Sequence, residues 1–284
     1  MKKALIFNRL HLKIIGLATM TFSHIAIFLF EFNLSSPLLG LLYALGAIAL
    51  PIFLYLLIES LDKTKHLKNY LLSLGISALI IYIVITLINY FVKPLYFGNI
   101  FMDLFLLAIG YYLIFVSKNK YLRLLLLIPL SLFILSFLIR GSYLELPPVV
   151  NILIDGLMPQ YHILSLGIFT LFELVFYFYK RSLKKALNSK DLINAYTDSF
   201  DYQLTKNGIY ALVITFFALI PYLFISLNVN LGYDLVNSTY MLIALIPLIL
   251  YNGTKGFSNK IIKYAFYFYY PLHLVIIYLV VSLL

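Results

Sequence analysis

Apolar stretches of membrane-crossing length recur along almost the whole chain, and their spacing constrains the fold more than any other feature. A helix needs about 20 apolar residues to cross a hydrocarbon core of about 30 Å. Candidates lie at roughly 12–30, 38–61, 70–91, 99–117, 122–139, 161–179, 208–227, 237–251 and 264–284, the eighth being short and holding Pro247. Of 284 residues, 63% are hydrophobic and 11% charged. Soluble domains carry about 25% charged residues, and no soluble fold of this length hides so much apolar surface. The predicted fold is an all-α polytopic membrane protein with about nine transmembrane helices (8–10), forming a single bundle domain over 1–284. Met1-Lys2-Lys3 is like the start of a secretory signal. The apolar run behind it is too long and lacks a small-residue cleavage site, so it reads as an uncleaved first helix.

The basic residues orient this array. With the N-terminus in the cytoplasm, the inner segments hold Lys2, Lys3, Arg9 and Lys13; Lys63, Lys65 and Lys68; Lys118, Lys120 and Arg123; Lys180, Arg181, Lys184, Lys185, Lys190 and Lys206; and Lys255, Lys260 and Lys263. Only Lys93 and Arg140 fall outside. Dropping one helix would reverse the later loops, so the asymmetry predicts a cytoplasmic N-terminus and an external C-terminus. The same alternation explains the net charge of +10 without nucleic acid as a partner. With no tryptophan, the interfacial belt falls to tyrosine and phenylalanine. With no cysteine, disulfides, thiolate metal sites and thiol nucleophiles are excluded.

Two segments are more than hairpins. Residues 140–160 form an outer loop with Pro147-Pro148, Glu145 and Asp155. Its apolar stretch Val149–Leu157 is too short to span, which predicts an interfacial or re-entrant piece. Residues 180–207 form the largest cytoplasmic loop, whose basic start suits anionic membrane lipids.

Ionisable groups inside a membrane are costly and are therefore functional candidates. They are His24, Glu59, Asp103, Glu173 and His273, with His66 and His162 at helix ends. Lys13 and His24 are eleven residues apart, which on a helix puts both on one face with a rise of about 16 Å. An anionic group held at Lys13 would place its far end beside His24. The alternative makes Lys13 a lipid-boundary anchor and His24 a packing histidine. In the last stretch, Pro271 leaves the carbonyl of Tyr267 without a helical donor, and Tyr269 and Tyr270 share the face of His273. That pattern suits a histidine held in one tautomer, or an aromatic packing helix with a kink. The two histidines lie at similar depths from the cytoplasmic ends of their helices, which is compatible with one site. Small residues before Pro51 predict close packing and a kink in the second helix. Glu59 reads as a site residue or as an i,i+4 partner of Lys63, and Asp103 as a solvated group near the outer face. Nucleotide-loop, HExxH and GxSxG motifs are absent, and no spacing suggests a metal.

Four blocks resemble the TraX family, whose named member acetylates the N-terminus of F-type pilin. They are Leu12-Lys13-Ile14-Ile15 through Met20-Thr21-Phe22-Ser23-His24-Ile25; Gly46 through Ala49-Leu50-Pro51-Ile52-Phe53 and Glu59, then Thr64 and Lys68-Asn69-Tyr70-Leu71; Asn99-Ile100-Phe101; and Tyr251-Asn252-Gly253-Thr254-Lys255-Gly256 with Lys263-Tyr264 through Tyr270-Pro271-Leu272-His273-Leu274. The family in turn looks like membrane acyltransferases with a basic residue, ten residues and a histidine in the first helix. The resemblance implies acyl transfer, most simply of acetyl, in a bacterial cytoplasmic membrane. Acetyl-CoA or another acyl-CoA would enter from the cytoplasm, with no metal. His24 would be the base and His273 its catalytic companion. Lys13, Glu59, Tyr269, Tyr270 and Asn252 would contact the donor or substrate. The acceptor would be a protein, glycan or lipid reached from the membrane or its outer face. Two positions depart from the pattern, Ser23 standing for the family's aspartate and Ala47 for its arginine. The buried polar groups leave open a small-solute transporter whose path they would line, and the two departures leave open a non-catalytic membrane partner or assembly protein descended from the family.

Overall fold

A computed structural model describes residues 5–31, 38–91, 98–140, 146–187, 189–226, 238–257 and 259–282. Lys2, Lys3, Lys93, Glu145 and the predicted helix ends at 227, 237 and 283–284 lie outside the described residues. The described chain is helical: α1 (Arg9–Glu31), α2 (Leu39–Gly46), α3 (Ala49–Lys63), α4 (Leu67–Phe91), α5 (Ile100–Tyr111), α6 (Leu127–Arg140), α7 (Pro148–Asp155), α8 (His162–Ala186), α9 (Lys190–Thr197), α10 (Phe200–Ser226), α11 (Leu245–Ile249) and α12 (Lys260–Ser282). One π-helical turn, Tyr112–Val116, extends α5, and 3₁₀ turns Lys120–Leu126 and Ser238–Ala244 lead into α6 and α11.

Six helical segments are long and apolar enough to cross a membrane: Arg9–Phe30, Leu39–Lys63, Leu67–Phe91, Lys120–Ile139, His162–Ala186 and Phe200–Pro221. Three shorter apolar helical stretches, Ile100–Val116, Ser238–Ile249 and Tyr264–Val280, occupy the remaining predicted positions. Large apolar side chains face outward on these helices, among them Leu72, Leu79, Leu127 and Leu212. Such surfaces belong in lipid, and the chain is a multi-pass membrane protein.

The backbone forms two compact units. The first comprises Met1–Ser23, Gly40–Leu56 and Gly167–Ser258. Its core gathers Tyr55, Phe172, Phe176, Tyr210 and Tyr251, all essentially inaccessible to solvent. Hydrogen bonds between helices satisfy the polar atoms there. Tyr210 donates to the Pro51 carbonyl at 2.8 Å, and Tyr55 donates to Asn207 Oδ1 at 2.6 Å. Buried Lys206 lies over the rings of Tyr55 and Phe176, 5.9 Å and 5.5 Å from their centroids. Residues 180–207, predicted as a loop, are largely helical here. Ser189 and Ser199 accept from the N–H groups of Leu192 and Tyr202, as N-cap residues do.

The second helical span breaks at Ala47-Ile48, ahead of Pro51. Pro51 lies in the first turn of α3, where its missing N–H costs little. The close packing expected of this region is centred on Gly46. A Cβ there would stand 2.5 Å from the Ser23 Cβ and 2.9 Å from its Cα, so α1 and α2 approach to a distance only glycine permits.

The second unit comprises His24–Leu39, Leu57–Leu166 and Asn259–Leu284. In it α4 packs against α5, α7 and α12. The apolar piece predicted in 149–157 is the short helix α7, which exposes Val149 and Leu153 and is fastened by Asn89 Nδ2 donating to Asp155 Oδ2 at 3.2 Å.

Gly46→Ala is expected to lower stability by about 1–3 kcal/mol through overpacking. Gly40→Ala is the control, because nothing lies within 4 Å of a Cβ there. Thermal unfolding in detergent checks this; equal midpoints for the two variants would contradict the α1–α2 contact.

Candidate functional site

Alpha-helical spacing brings His24 inward. Asn8 caps α1 by accepting from the His11 N–H at 3.1 Å. From there Leu12, Met20, His24 and Phe28 recur at multiples of four residues, and all four are buried. On α12 the buried set is Tyr270, His273, Leu274 and Ile277, the i, i+3, i+4, i+7 pattern of one helix face. Within the second unit these two faces meet. His24 Nδ1 lies 2.7 Å from His273 Nε2, their rings 5.0 Å apart between centroids. Phe28 and Tyr278 continue the contact, with ring centroids 6.4 Å apart.

The hydrogen bonds determine where the protons sit. His273 Nδ1 lies 2.9 Å from the Tyr269 carbonyl oxygen. A carbonyl only accepts, so Nδ1 of His273 carries a proton and donates it. Neutral His273 then has its lone pair on Nε2. The 2.7 Å contact therefore requires His24 to donate from Nδ1. His24 in turn carries a lone pair on Nε2. Pro271 leaves the Tyr267 carbonyl without its helical donor, yet the imidazole takes the Tyr269 carbonyl instead, because that one lies one turn before His273 on its own face.

Aromatic rings enclose the pair. Tyr269 stacks on His273 with centroids 5.0 Å apart and planes at 11°. Tyr270 stands edge-on to both imidazoles, 5.7 Å from His24 and 5.2 Å from His273. Phe101 of α5 packs on Tyr270 at 5.2 Å. The structure thus brings His24, His273, Tyr269 and Tyr270 together.

Glu59 is buried and pairs with Lys63 at 2.7 Å, the i,i+4 arrangement. Asn252 shapes a turn: its Oδ1 accepts from Thr254 N at 2.9 Å and Thr254 Oγ1 at 2.7 Å, and its N–H donates to the Phe7 carbonyl at 2.8 Å. That turn belongs to the first unit. Lys13 is half-buried on α1, eleven residues before His24. Glu173 is buried on α8. Among the described residues, no three His, Cys, Asp or Glu side chains converge as metal ligands would.

Asp103 departs from expectation. It is fully buried, accepting from Gln160 N at 2.6 Å, Tyr161 N at 3.2 Å and Ser165 Oγ at 2.6 Å. The turn entering α8 supplies those donors in place of water. Asn99, just before α5, caps Phe101 and Met102 and also donates to the carbonyls of Ala78 and Gly156 at 2.8 Å and 3.1 Å. Its place ahead of an apolar run is the sequence signal for the cap; the bonds to α4 and to residue 156 have no local signal.

The fold and this geometry define a multi-pass helical membrane protein with a buried, hydrogen-bonded histidine pair between its first and last helices. Residues 8–153, just over half of the chain, match the family described as TraX protein. The chain belongs to the TraX family. No curated protein and no solved structure matched. The matched span contains Lys13, Ser23, His24, Gly46 and Glu59; His273 and its tyrosines lie beyond it and join the site through the fold. Ser23 rests on the backbone of Gly46, the residue before Ala47.

Nitrogen-15 NMR of the histidine side chains checks the proton assignment. His24 and His273 are both expected as Nδ1–H tautomers; an Nε2–H tautomer at His24 would contradict it.

Proposed function

We propose that this protein is a membrane acyltransferase that moves an acyl group, most simply acetyl, from acyl-CoA to an acceptor at the membrane or its outer face. The observation that carries the reading is the 2.7 Å contact between His24 Nδ1 and His273 Nε2. It leaves a basic nitrogen at His24 Nε2, and TraX family membership supports the chemistry assigned to it. His24 takes the proton of the acceptor hydroxyl or amine as that group attacks the acyl carbon. The tetrahedral intermediate then collapses, the carbon–sulfur bond breaks, and the proton on His24 passes to the departing thiolate. His273 orients His24 and shares the positive charge that develops on it.

With the N-terminus in the cytoplasm and Lys13 at the lipid boundary, His24 lies about 16 Å of helical rise inward, near the middle of a core about 30 Å thick, a depth open to an acceptor from the membrane or its outer face. Lys13, about 16 Å back along α1, suits a phosphate of a donor entering from the cytoplasm. Ser23 in place of an aspartate leaves His273 as the partner that sets the tautomer of His24.

Acetyl-CoA titration into the protein in nanodiscs is the first test. Saturable binding is expected, weakened at least several-fold by Lys13→Ala. His24→Ala is expected to retain donor binding and to lose acyl transfer by about 10²–10⁴-fold. No binding at millimolar donor, or normal transfer by His24→Ala, would overturn the reading.

A further inference from the structure

Tyr270 places a buried side chain against the histidine pair. Its side chain is fully buried, and its hydroxyl has no hydrogen-bond partner among the described residues. Buried hydroxyls are nearly always paired, and leaving one unpaired costs about 1–3 kcal/mol. Phe101, at the start of α5, packs on the same ring with centroids 5.2 Å apart. The polar side chains of that end of α5 are engaged elsewhere: Asp103 accepts from Gln160, Tyr161 and Ser165, and Asn99 caps Phe101 and Met102.

Resting on the acyltransferase reading, we infer that the Tyr270 hydroxyl binds the carbonyl oxygen of the donor's thioester and holds the oxyanion that this oxygen becomes. When the acceptor attacks and its proton passes to His24 Nε2, the carbonyl π-electrons move onto oxygen, where Tyr270 donates its hydrogen bond. When the carbon–sulfur bond breaks, the double bond returns and Tyr270 keeps its proton. The Tyr270 ring stands edge-on to both imidazoles, which puts this residue in contact with the pair. Tyr269 does not take this role: it stacks flat on His273, and its carbonyl holds that ring.

Tyr270→Phe removes only the oxygen and separates the roles. The catalytic assignment predicts a kcat lowered by about 10²–10³-fold, the usual loss of one oxyanion donor. Donor affinity is expected to stay within threefold, and the unfolding midpoint to stay level or rise, because an unpaired buried hydroxyl has gone. Infrared difference spectra of bound carbonyl-labelled acetyl-CoA are expected to show a lowered carbonyl frequency in wild type and not in Tyr270→Phe. A lowered midpoint with an unchanged rate would make the hydroxyl structural and overturn the inference. Transfer within threefold of wild type overturns it as well. If wild-type protein neither binds acetyl-CoA nor transfers from it, the acyltransferase reading falls first and this inference with it.

Discussion

Two imidazoles removed from water must find partners for their nitrogens inside the protein, and that requirement organises the centre of the second unit. Burying polar atoms without partners would cost several kcal/mol, so the two rings solve the problem by bonding each other. The bond sets their mutual orientation, and the Tyr269 carbonyl sets its polarity. From that polarity follows which nitrogen of His24 keeps its lone pair. It also ties α1 to α12 at one depth, with Phe28 and Tyr278 extending the contact.

The surroundings keep this arrangement in place. Phe101 and Tyr270 pack the site against the start of α5. Asn99 and Asp103 then fasten that end of α5 to residues 156–165 and to α4. Asn99 and Asp103 are both fully buried and hydrogen-bonded, the condition under which a buried network adds rigidity rather than strain. The wall behind the histidines is therefore held by hydrogen bonds as well as by apolar packing. A reacting group would meet a preorganised site, which is where electrostatic catalysis gains most.

Much of this is legible in the sequence, and the limits have physical causes. Apolar run length finds the spans because lipid forces each crossing segment to satisfy its own backbone. Helical spacing puts Tyr269 and Tyr270 beside His273, and depth counting makes His24 and His273 compatible with one site; neither supplies the contact itself, which depends on how α1 and α12 pack. Asp103 misleads because its carboxylate near a helix start looks solvated, while the donors that bury it come from Gln160, Tyr161 and Ser165, about 60 residues on. Asn252 and Glu59 belong to the resembling blocks, yet each is engaged locally, one in a turn and the other in an ion pair. Gly46 is readable as a close-packing residue, but its partner Ser23 is not, because that approach is set between helices.

The central claim is that His24 and His273 act as one unit, and a double-mutant cycle on acyl transfer tests it directly. Release of CoA from acetyl-CoA would be followed in membranes carrying wild type, His24→Ala, His273→Ala and the double variant. Residues that act through one hydrogen bond are strongly non-additive. The account predicts that the double variant is about as slow as His24→Ala alone. Losses that multiply independently would contradict it and separate the two histidines into unrelated roles.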